Sequence, residues 1–134
     1  MYKGSCLCGE IEFQIEGGID SIICCHCSLC RKASGSAYAA NGFVDTAAFT
    51  ISSGEPMLGS FESTPGRHRR FCTGCGSPIF STNEQDPGRI RIRIGVIDSD
   101  IDERPISHNF VTSKAAWDDL DAELPRYEAY EPGR

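Results

Sequence analysis

Eight cysteines, gathered in three short stretches, constrain the fold of this chain more than any other feature of the sequence. They occupy positions 6 and 8, then 24, 25, 27 and 30, and finally 72 and 75. An even number of cysteines also fits a disulfide-stapled scaffold. However, pairs such as Cys25 and Cys27 do not easily bridge internally, and a chain of 134 residues that is 40% apolar does not need staples. The spacing therefore favours metal-ligating thiolates over disulfides. This fits a compartment in which cysteine thiols stay reduced.

The segment from Cys72 to Cys75, with glycines at positions 74 and 76, has the spacing of a zinc knuckle. Two thiolates three residues apart on a turn can both reach one ion, and glycines let backbone N–H groups turn toward the sulfurs. A tetrahedral site needs two further ligands. They could come from Cys6 and Cys8 or from the cluster between residues 24 and 30, and spacing alone does not assign them.

Counting the cysteines favours one division into two metal sites. Cys6, Cys8, Cys72 and Cys75 make a closed four-thiolate set, which is the pattern of structural zinc, and Cys25, Cys27 and Cys30 make a three-ligand set with one open position, which is the catalytic pattern. The alternative is a second structural site that Cys24 or His26 completes. Cys24 follows an apolar stretch and is expected to be a small buried hydrophobic residue. We expect His26 to point away from the metal.

Length and composition indicate one domain that spans residues 1–134, because no linker or repeat interrupts the chain. The apolar content is too high for a disordered protein. No apolar run approaches the ~20 residues that cross a bilayer, and the N-terminal residues do not look like a signal peptide, so we expect a cytoplasmic protein with no membrane partner. The net charge of -6 disfavours nucleic acid as a partner. The sequence does not indicate an oligomeric state.

Period-two alternation predicts a mainly β domain whose core is supplemented by zinc. In the clearest strand, residues 89–96, isoleucines at 90, 92 and 94 share one face, and arginines at 89, 91 and 93 share the other, which we expect to be solvated. Residues 49–51 and 57–62 are expected to be a pair of strands joined by a turn at 53–56. A helix is expected to begin at Thr112 or Ser113, with Trp117, Leu120 and Leu124 on its inward face.

Basic residues of the first half of the chain cluster beside the cysteine motifs. Arg31 and Lys32 follow Cys30, and Arg67, Arg69 and Arg70 precede Cys72. A small anionic ligand could be bound there although the whole chain is acidic. The alternative is that these side chains are solvated or pair with nearby carboxylates.

The cysteine motifs and their flanks resemble the glutathione-dependent formaldehyde-activating enzyme family, also described as centromere protein V-like. The resemblance is carried by residues 4–13, 25–36 and 71–77, and by a closing segment that includes Pro105, His108, residues 113–117 and residues 124–127. It extends over nearly the full chain, and seven matched cysteines in order are a highly specific signal.

This resemblance implies several small antiparallel sheets, structural zinc on Cys6, Cys8, Cys72 and Cys75, and catalytic zinc on Cys25, Cys27 and Cys30. It also implies a carbon–sulfur lyase that condenses formaldehyde with glutathione to S-hydroxymethylglutathione. Three thiolates leave zinc electron-rich, so a thiol in the fourth position fits better than hydrolysis. The carboxylates of glutathione are expected on Arg31, Lys32, Arg67 or Arg69, and His26, His68 or His108 could shuttle the proton.

Two other functions compete with this one. A non-catalytic, zinc-stabilised binding module would hold zinc only at the four-cysteine site and would expose an apolar patch. A redox enzyme would need a reactive cysteine outside the metal sites. Only Cys24 is available, in an apolar strand that would raise its pKa.

Overall fold

Ten strands form two β-sheets in the computed structural model, which describes residues 1–134. The strands are β1 (Tyr2–Ser5), β2 (Glu12–Ile15), β3 (Ile22–Cys25), β4 (Ala39–Asp45), β5 (Phe49–Ser53), β6 (Leu58–Thr64), β7 (Arg67–Cys72), β8 (Pro78–Asn83), β9 (Arg89–Arg93) and β10 (Pro105–Asn109). The one α-helix, α1, is Ser28–Ser34, and 3-10 helices cover Thr46–Ala48, Glu55–Met57, Ile94–Val96 and Val111–Ser113. The predicted mainly β class is confirmed.

The smaller sheet has the strand order β1-β2-β5, and the larger has the order β10-β3-β4-β9-β8-β7-β6. Neighbouring strands are antiparallel except β10 and β3, which are parallel. Strands β7 and β8 form an antiparallel hairpin around the Cys72–Cys75 turn. Both β5 and β6 form too, but they belong to different sheets, because the 3-10 turn at Glu55–Met57 carries the chain from one sheet to the other.

The main core contains apolar side chains from both sheets. Phe13 and Ile15 come from β2 of the small sheet, whereas Ile90 and Ile92 come from β9 of the large sheet, and all four are at most 2% exposed. Phe49 of β5 packs against Phe13 and Phe80, with ring centroids 5.5 and 4.8 Å apart. The isoleucine face of β9 was therefore predicted correctly as a core face.

The helix expected after Thr112 does not form. A 3-10 turn at Val111–Ser113 is followed by turns and irregular chain, and Trp117 and Leu124, predicted to point inward, are each 74% exposed. An isolated helix of about a dozen residues is marginal in water unless its apolar face packs on another element. The spacing at i, i+3 and i+7 supplied such a face, but the fold supplies no surface to cover it.

The helix that does form, α1, is not predicted by the sequence patterns. Its N-cap is Cys27, whose sulfur accepts the backbone N–H of Cys30, and Gly35 ends it in the left-handed conformation at φ 65°. Serine, threonine, asparagine or aspartate usually caps a helix, so a cysteine cap gives no standard start signal in the sequence.

Gly54 allows a close approach between two backbone segments next to the first cysteine pair. Its φ is +79°, and an added Cβ would overlap the carbonyl oxygen of Glu10. Gly17 has the same φ of +79° with no atom within 4 Å of such a Cβ.

The Gly17→Ala variant should therefore lose only the free energy that a left-handed φ costs an alanine, about 1 kcal/mol of unfolding free energy. The Gly54→Ala variant should lose clearly more, because its Cβ would also overlap the Glu10 backbone. Urea unfolding of the two variants measures this difference, and equal losses would contradict the structure.

Glu103 anchors two distant segments through its carboxylate. Its oxygens accept the Tyr2 hydroxyl at 2.8 Å and the Ile19 backbone N–H at 3.0 Å, and the hydrogen bond from Ile19 lowers the pKa of this carboxyl. Because the folded-state pKa lies below the unfolded value of about 4.3, the ionised form stabilises the fold above that pH, and this contribution is lost as the pH falls through the folded pKa.

The Glu103→Gln variant should consequently unfold at lower denaturant concentration than the parent protein at pH 7. The difference between the two midpoints should shrink as the pH is lowered below about 4. Denaturant titrations at several pH values test this, and a midpoint difference that does not change with pH would rule out a role for the carboxylate charge.

Candidate metal centres and the adjoining pocket

The first thiol cluster brings together cysteines that are far apart in the sequence. Cys6 and Cys8 follow β1, Cys72 ends β7, Cys75 lies in the next turn, and their Sγ atoms all lie within 4.8 Å of one another. Cys8 Sγ is 3.5 Å from Cys6 Sγ and 3.8 Å from Cys72 Sγ. Zinc with Zn–S bonds of ~2.3 Å separates tetrahedral sulfur ligands by about 3.8 Å, so this donor set fits one zinc ion.

Hydrogen bonds orient the sulfurs of this first cluster. The Ile11 backbone N–H donates to Cys6 Sγ over 3.3 Å. The Ser77 hydroxyl lies 3.3 Å from Cys75 Sγ, and hydrogen bonds from that hydroxyl and from the Ser77 backbone N–H lower the pKa of Cys75 to about 5. Such partners favour the thiolate, which is the form that ligates a metal.

The second thiol cluster lies where β3 ends and α1 begins. Cys25 is the last residue of β3, Cys27 caps α1, Cys30 lies buried in its first turn, and the three Sγ atoms are within 4.8 Å of one another. Burial alone would raise the pKa of Cys27, but hydrogen bonds, first that of the Cys30 backbone N–H, lower it. Burial raises the pKa of Cys25 to about 12, and a bound cation would favour the thiolate form of this residue.

Cys24 and His26 do not join this second cluster. Both are buried, and burial raises the pKa of the Cys24 thiol. The His26 ring lies 5.1 Å from the Tyr38 ring, and its Nε2 is 2.8 Å from Nδ1 of His108. The structure thus assembles three ligand atoms, with Cys24 and His26 packed outside them.

A pocket of about 430 Å³ adjoins the three-cysteine cluster, and Cys25, Cys27 and Cys30 form part of its wall. Only four polar side chains are buried in the whole chain: His26, Asn41, Ser81 and Arg93. The last three line this pocket. Burial of a polar group costs free energy unless the group finds a partner, so their concentration here marks a surface built for a ligand.

Four arginines line the same pocket. Arg67 and Arg69 come from β7, and Arg91 and Arg93 come from β9. Ser81 of β8 pairs in register with Arg69 on one side and Arg91 on the other, which places these side chains on one face of the sheet. Arg69 Nη2 lies 3.9 Å from Cys30 Sγ, within reach of a weak hydrogen bond to sulfur.

The expectation of a solvated arginine face on β9 is wrong for two of its three members. Arg89 is exposed, but Arg91 is half-buried and packs 5.1 Å from the Phe43 ring centroid, and Arg93 is only 8% exposed. Alternation shows which residues avoid the core; it does not distinguish water from a polar pocket on the other face.

The predicted binding residues and histidines are not all brought to this pocket. Arg67 and Arg69 line it, whereas Arg31 and Lys32, on α1, do not. None of the three histidines lines it either: His26 and His108 contact each other, and His68 Nε2 lies 3.0 Å from Glu84 Oε1. The structure therefore gives no support to a histidine proton shuttle.

Comparison with known proteins matches residues 1–113 to the family model described as glutathione-dependent formaldehyde-activating enzyme. The chain belongs to this family. A Halomonas elongata protein, by its provisional name a glutathione-dependent formaldehyde-activating enzyme, is 28% identical over 133 residues, which cover 91% of this chain and 82% of that protein. A crystal structure of a Rhodobacter sphaeroides protein aligns with a TM-score of 0.65 at 19% identity, covering 79% of this chain and 98% of that one, and so shares the fold.

The part of the chain that matches the glutathione-dependent formaldehyde-activating enzyme family contains both thiol clusters and the whole pocket. The resemblance in residues 114–134, part of the closing segment, lies outside the matched range. The one helix of the structure, seven residues long, is too short to cross a membrane.

Zinc content tests the two clusters separately. We expect two zinc ions per chain, one lost in Cys75→Ser together with a large drop in thermal stability, and the other lost in Cys25→Ser with a smaller drop. Elemental analysis with thermal unfolding measures both effects. Cys24→Ser is the matched control, because Cys24 is a buried thiol outside both clusters, and a lower zinc content in that variant would contradict the ligand sets described above.

Proposed function

We propose that residues 1–134 form one zinc domain that acts in the cytoplasm as a carbon–sulfur lyase. It would join a small aldehyde to glutathione or a related thiol, giving an S-hydroxymethyl type of adduct, and would also catalyse the reverse reaction. The observation that carries this proposal is the position of the three-cysteine cluster in the wall of a cationic pocket. The family's name supports glutathione and formaldehyde as the reactants.

The donor sets fit zinc at both clusters. Four sulfurs close the first site, which suits a structural ion, and Cys25, Cys27 and Cys30 provide three ligands beside the pocket. Bound at the second site, zinc would lower the pKa of a thiol that takes the remaining position, so that the thiol reacts as a thiolate.

The surrounding residues bind and orient the thiol substrate. Arg67 and Arg69, on one wall, and Arg91, stacked on Phe43, present guanidinium groups to its carboxylates. Guanidinium–carboxylate pairs are short, charge-assisted and often bidentate, so they fix the direction of the substrate as well as its affinity. Arg69 also contacts Cys30 Sγ, its Nη2 lying 3.9 Å from the sulfur, so one of these guanidinium groups directly adjoins the three-cysteine cluster.

The proposed reaction balances without an oxidant or reductant. The substrate sulfur forms a bond to the aldehyde carbon, and the electron pair of the carbonyl π bond moves to oxygen. The proton released by the thiol ends on that oxygen. Because no histidine lines the pocket, we propose that solvent carries this proton.

Exchange spectroscopy by NMR on formaldehyde and glutathione provides the test. The zinc-loaded protein should accelerate adduct exchange well above the uncatalysed rate, and Cys30→Ser should abolish the acceleration because it removes a ligand beside the pocket. Cys24→Ser should retain the parent rate, since Cys24 lies outside the cluster. A protein with two zinc ions that binds glutathione but leaves the exchange rate unchanged would contradict the proposal.

A non-catalytic binding module remains the second candidate, and one observation favours it. Ile106, Phe110 and Trp117 are 71%, 65% and 74% exposed, and exposed apolar groups of this kind can serve protein contacts. This function predicts zinc only at the four-cysteine site and no binding of glutathione. The zinc content and the NMR exchange experiment therefore separate the two candidates.

A further inference from the structure

Asn41 lies in the floor of the pocket with an unused acceptor. Its side chain is 4% exposed, and its Oδ1 has no hydrogen-bond partner. Asn41 pairs in register with Ile23 on one side and Arg93 on the other, and all three residues line the pocket. A buried oxygen without a donor costs roughly 1–3 kcal/mol, and a bound molecule that brings an N–H or O–H group would remove that cost.

The four pocket arginines also have no carboxylate partner within the protein. Every salt bridge in the chain involves other residues, so no carboxylate lies within 4.0 Å of Arg67, Arg69, Arg91 or Arg93. Their burial increases from Arg67, which is exposed, to Arg93, and burial lowers the pKa of Arg93 to about 10. Burial of a guanidinium group without an anionic partner costs free energy, and anionic oxygens of a bound ligand would reduce that cost.

The number of charges in the pocket exceeds what glutathione neutralises. Three thiolates with a divalent zinc ion carry one net negative charge, so four guanidinium groups leave a surplus of three positive charges. Glutathione has two carboxylates and one ammonium group, and as a thiolate it supplies two net negative charges. One positive charge in the pocket would remain without compensation.

We propose that the preferred substrate is a polyanionic thiol, one that carries at least two net negative charges besides its sulfur and a neutral N–H or O–H group for Asn41. This inference rests on the proposed function, because it concerns the thiol that enters the same site. The anionic groups are oxygens of carboxylates or of a phosphate, which guanidinium groups bind in the same manner.

Calorimetric binding of thioethers tests this without catalysis. S-methylglutathione and N-acetyl-S-methylglutathione share one skeleton and differ by the ammonium charge, so the second is the carboxylate probe. S-methyl-4′-phosphopantetheine is the phosphate probe. At low salt, at least one of the two more anionic probes should bind zinc-loaded protein about tenfold more tightly than S-methylglutathione, because it supplies the additional negative charge.

Matched variants identify the residues that cause this preference. Arg91→Gln removes a guanidinium from the pocket and should reduce the tenfold preference several-fold, whereas Arg89→Gln, on the same strand but outside the pocket, should leave it unchanged. Arg67→Gln changes an exposed residue and should also reduce the preference, so the test does not depend on a buried site.

Asn41→Leu adds a test in which stability and affinity change in opposite directions. The substitution removes an unpartnered buried oxygen and keeps the branching and number of side-chain heavy atoms, so the free protein should unfold at a higher temperature, while the affinity for the tighter-binding anionic probe should fall. Equal or weaker binding of both anionic probes relative to S-methylglutathione, or no binding of any probe, would overturn the inference. If both anionic probes bind no more tightly than S-methylglutathione, the NMR exchange experiment with glutathione and formaldehyde can still support the lyase activity. The substrate preference and the proposed function can therefore fail independently.

Discussion

Mutual repulsion among thiolates is the constraint on which this structure depends. Four sulfurs from residues 6–8 and 72–75 lie within 4.8 Å of one another, and in thiolate form they could not share that space without a cation. A bound divalent ion would convert this repulsion into a cross-link between the chain after β1 of the small sheet and the turn from β7 to β8 of the large sheet. The cross-link would matter because the main core contains only twelve buried residues, and metal-binding free energy then becomes folding free energy.

The same cross-link would position the pocket. Cys72 is the last residue of β7, the strand that also carries Arg67 and Arg69, so a metal ion at the first cluster would fix one wall of the pocket beside the second cluster. On the other wall, β9 directs Ile90 and Ile92 into the core and Arg91 and Arg93 into the pocket. A shift of β9 by one residue would expose its isoleucines and bury its arginines in the core, so core packing fixes the register of the pocket.

Several parts of this architecture could be predicted from the sequence because they depend on local patterns. Cysteine spacing together with the cysteine count favoured the division into the two thiol clusters, and alternation identified the core face of β9. The role of Arg91 and Arg93 could not be predicted, because it depends on which elements cover the second face of the sheet. The prediction of a C-terminal helix failed for a related reason. Trp117 and Leu124 follow a helical period, but a helix there would need a packing surface that the sheets do not provide.

The two thiol clusters have the same kind of donor and differ in their surroundings. The sulfurs of the first cluster are oriented by backbone N–H groups and by Ser77, and four ligands leave no position for a substrate. The sulfurs of the second cluster number three and lie beside guanidinium groups, of which Arg69 contacts Cys30 directly. Positive charge beside these sulfurs would reduce their electron donation to a bound metal ion and would so make that ion a stronger Lewis acid than at an isolated thiolate site. In the proposed function, ligand number and neighbouring charge are what distinguish the four-sulfur centre from the three-sulfur centre.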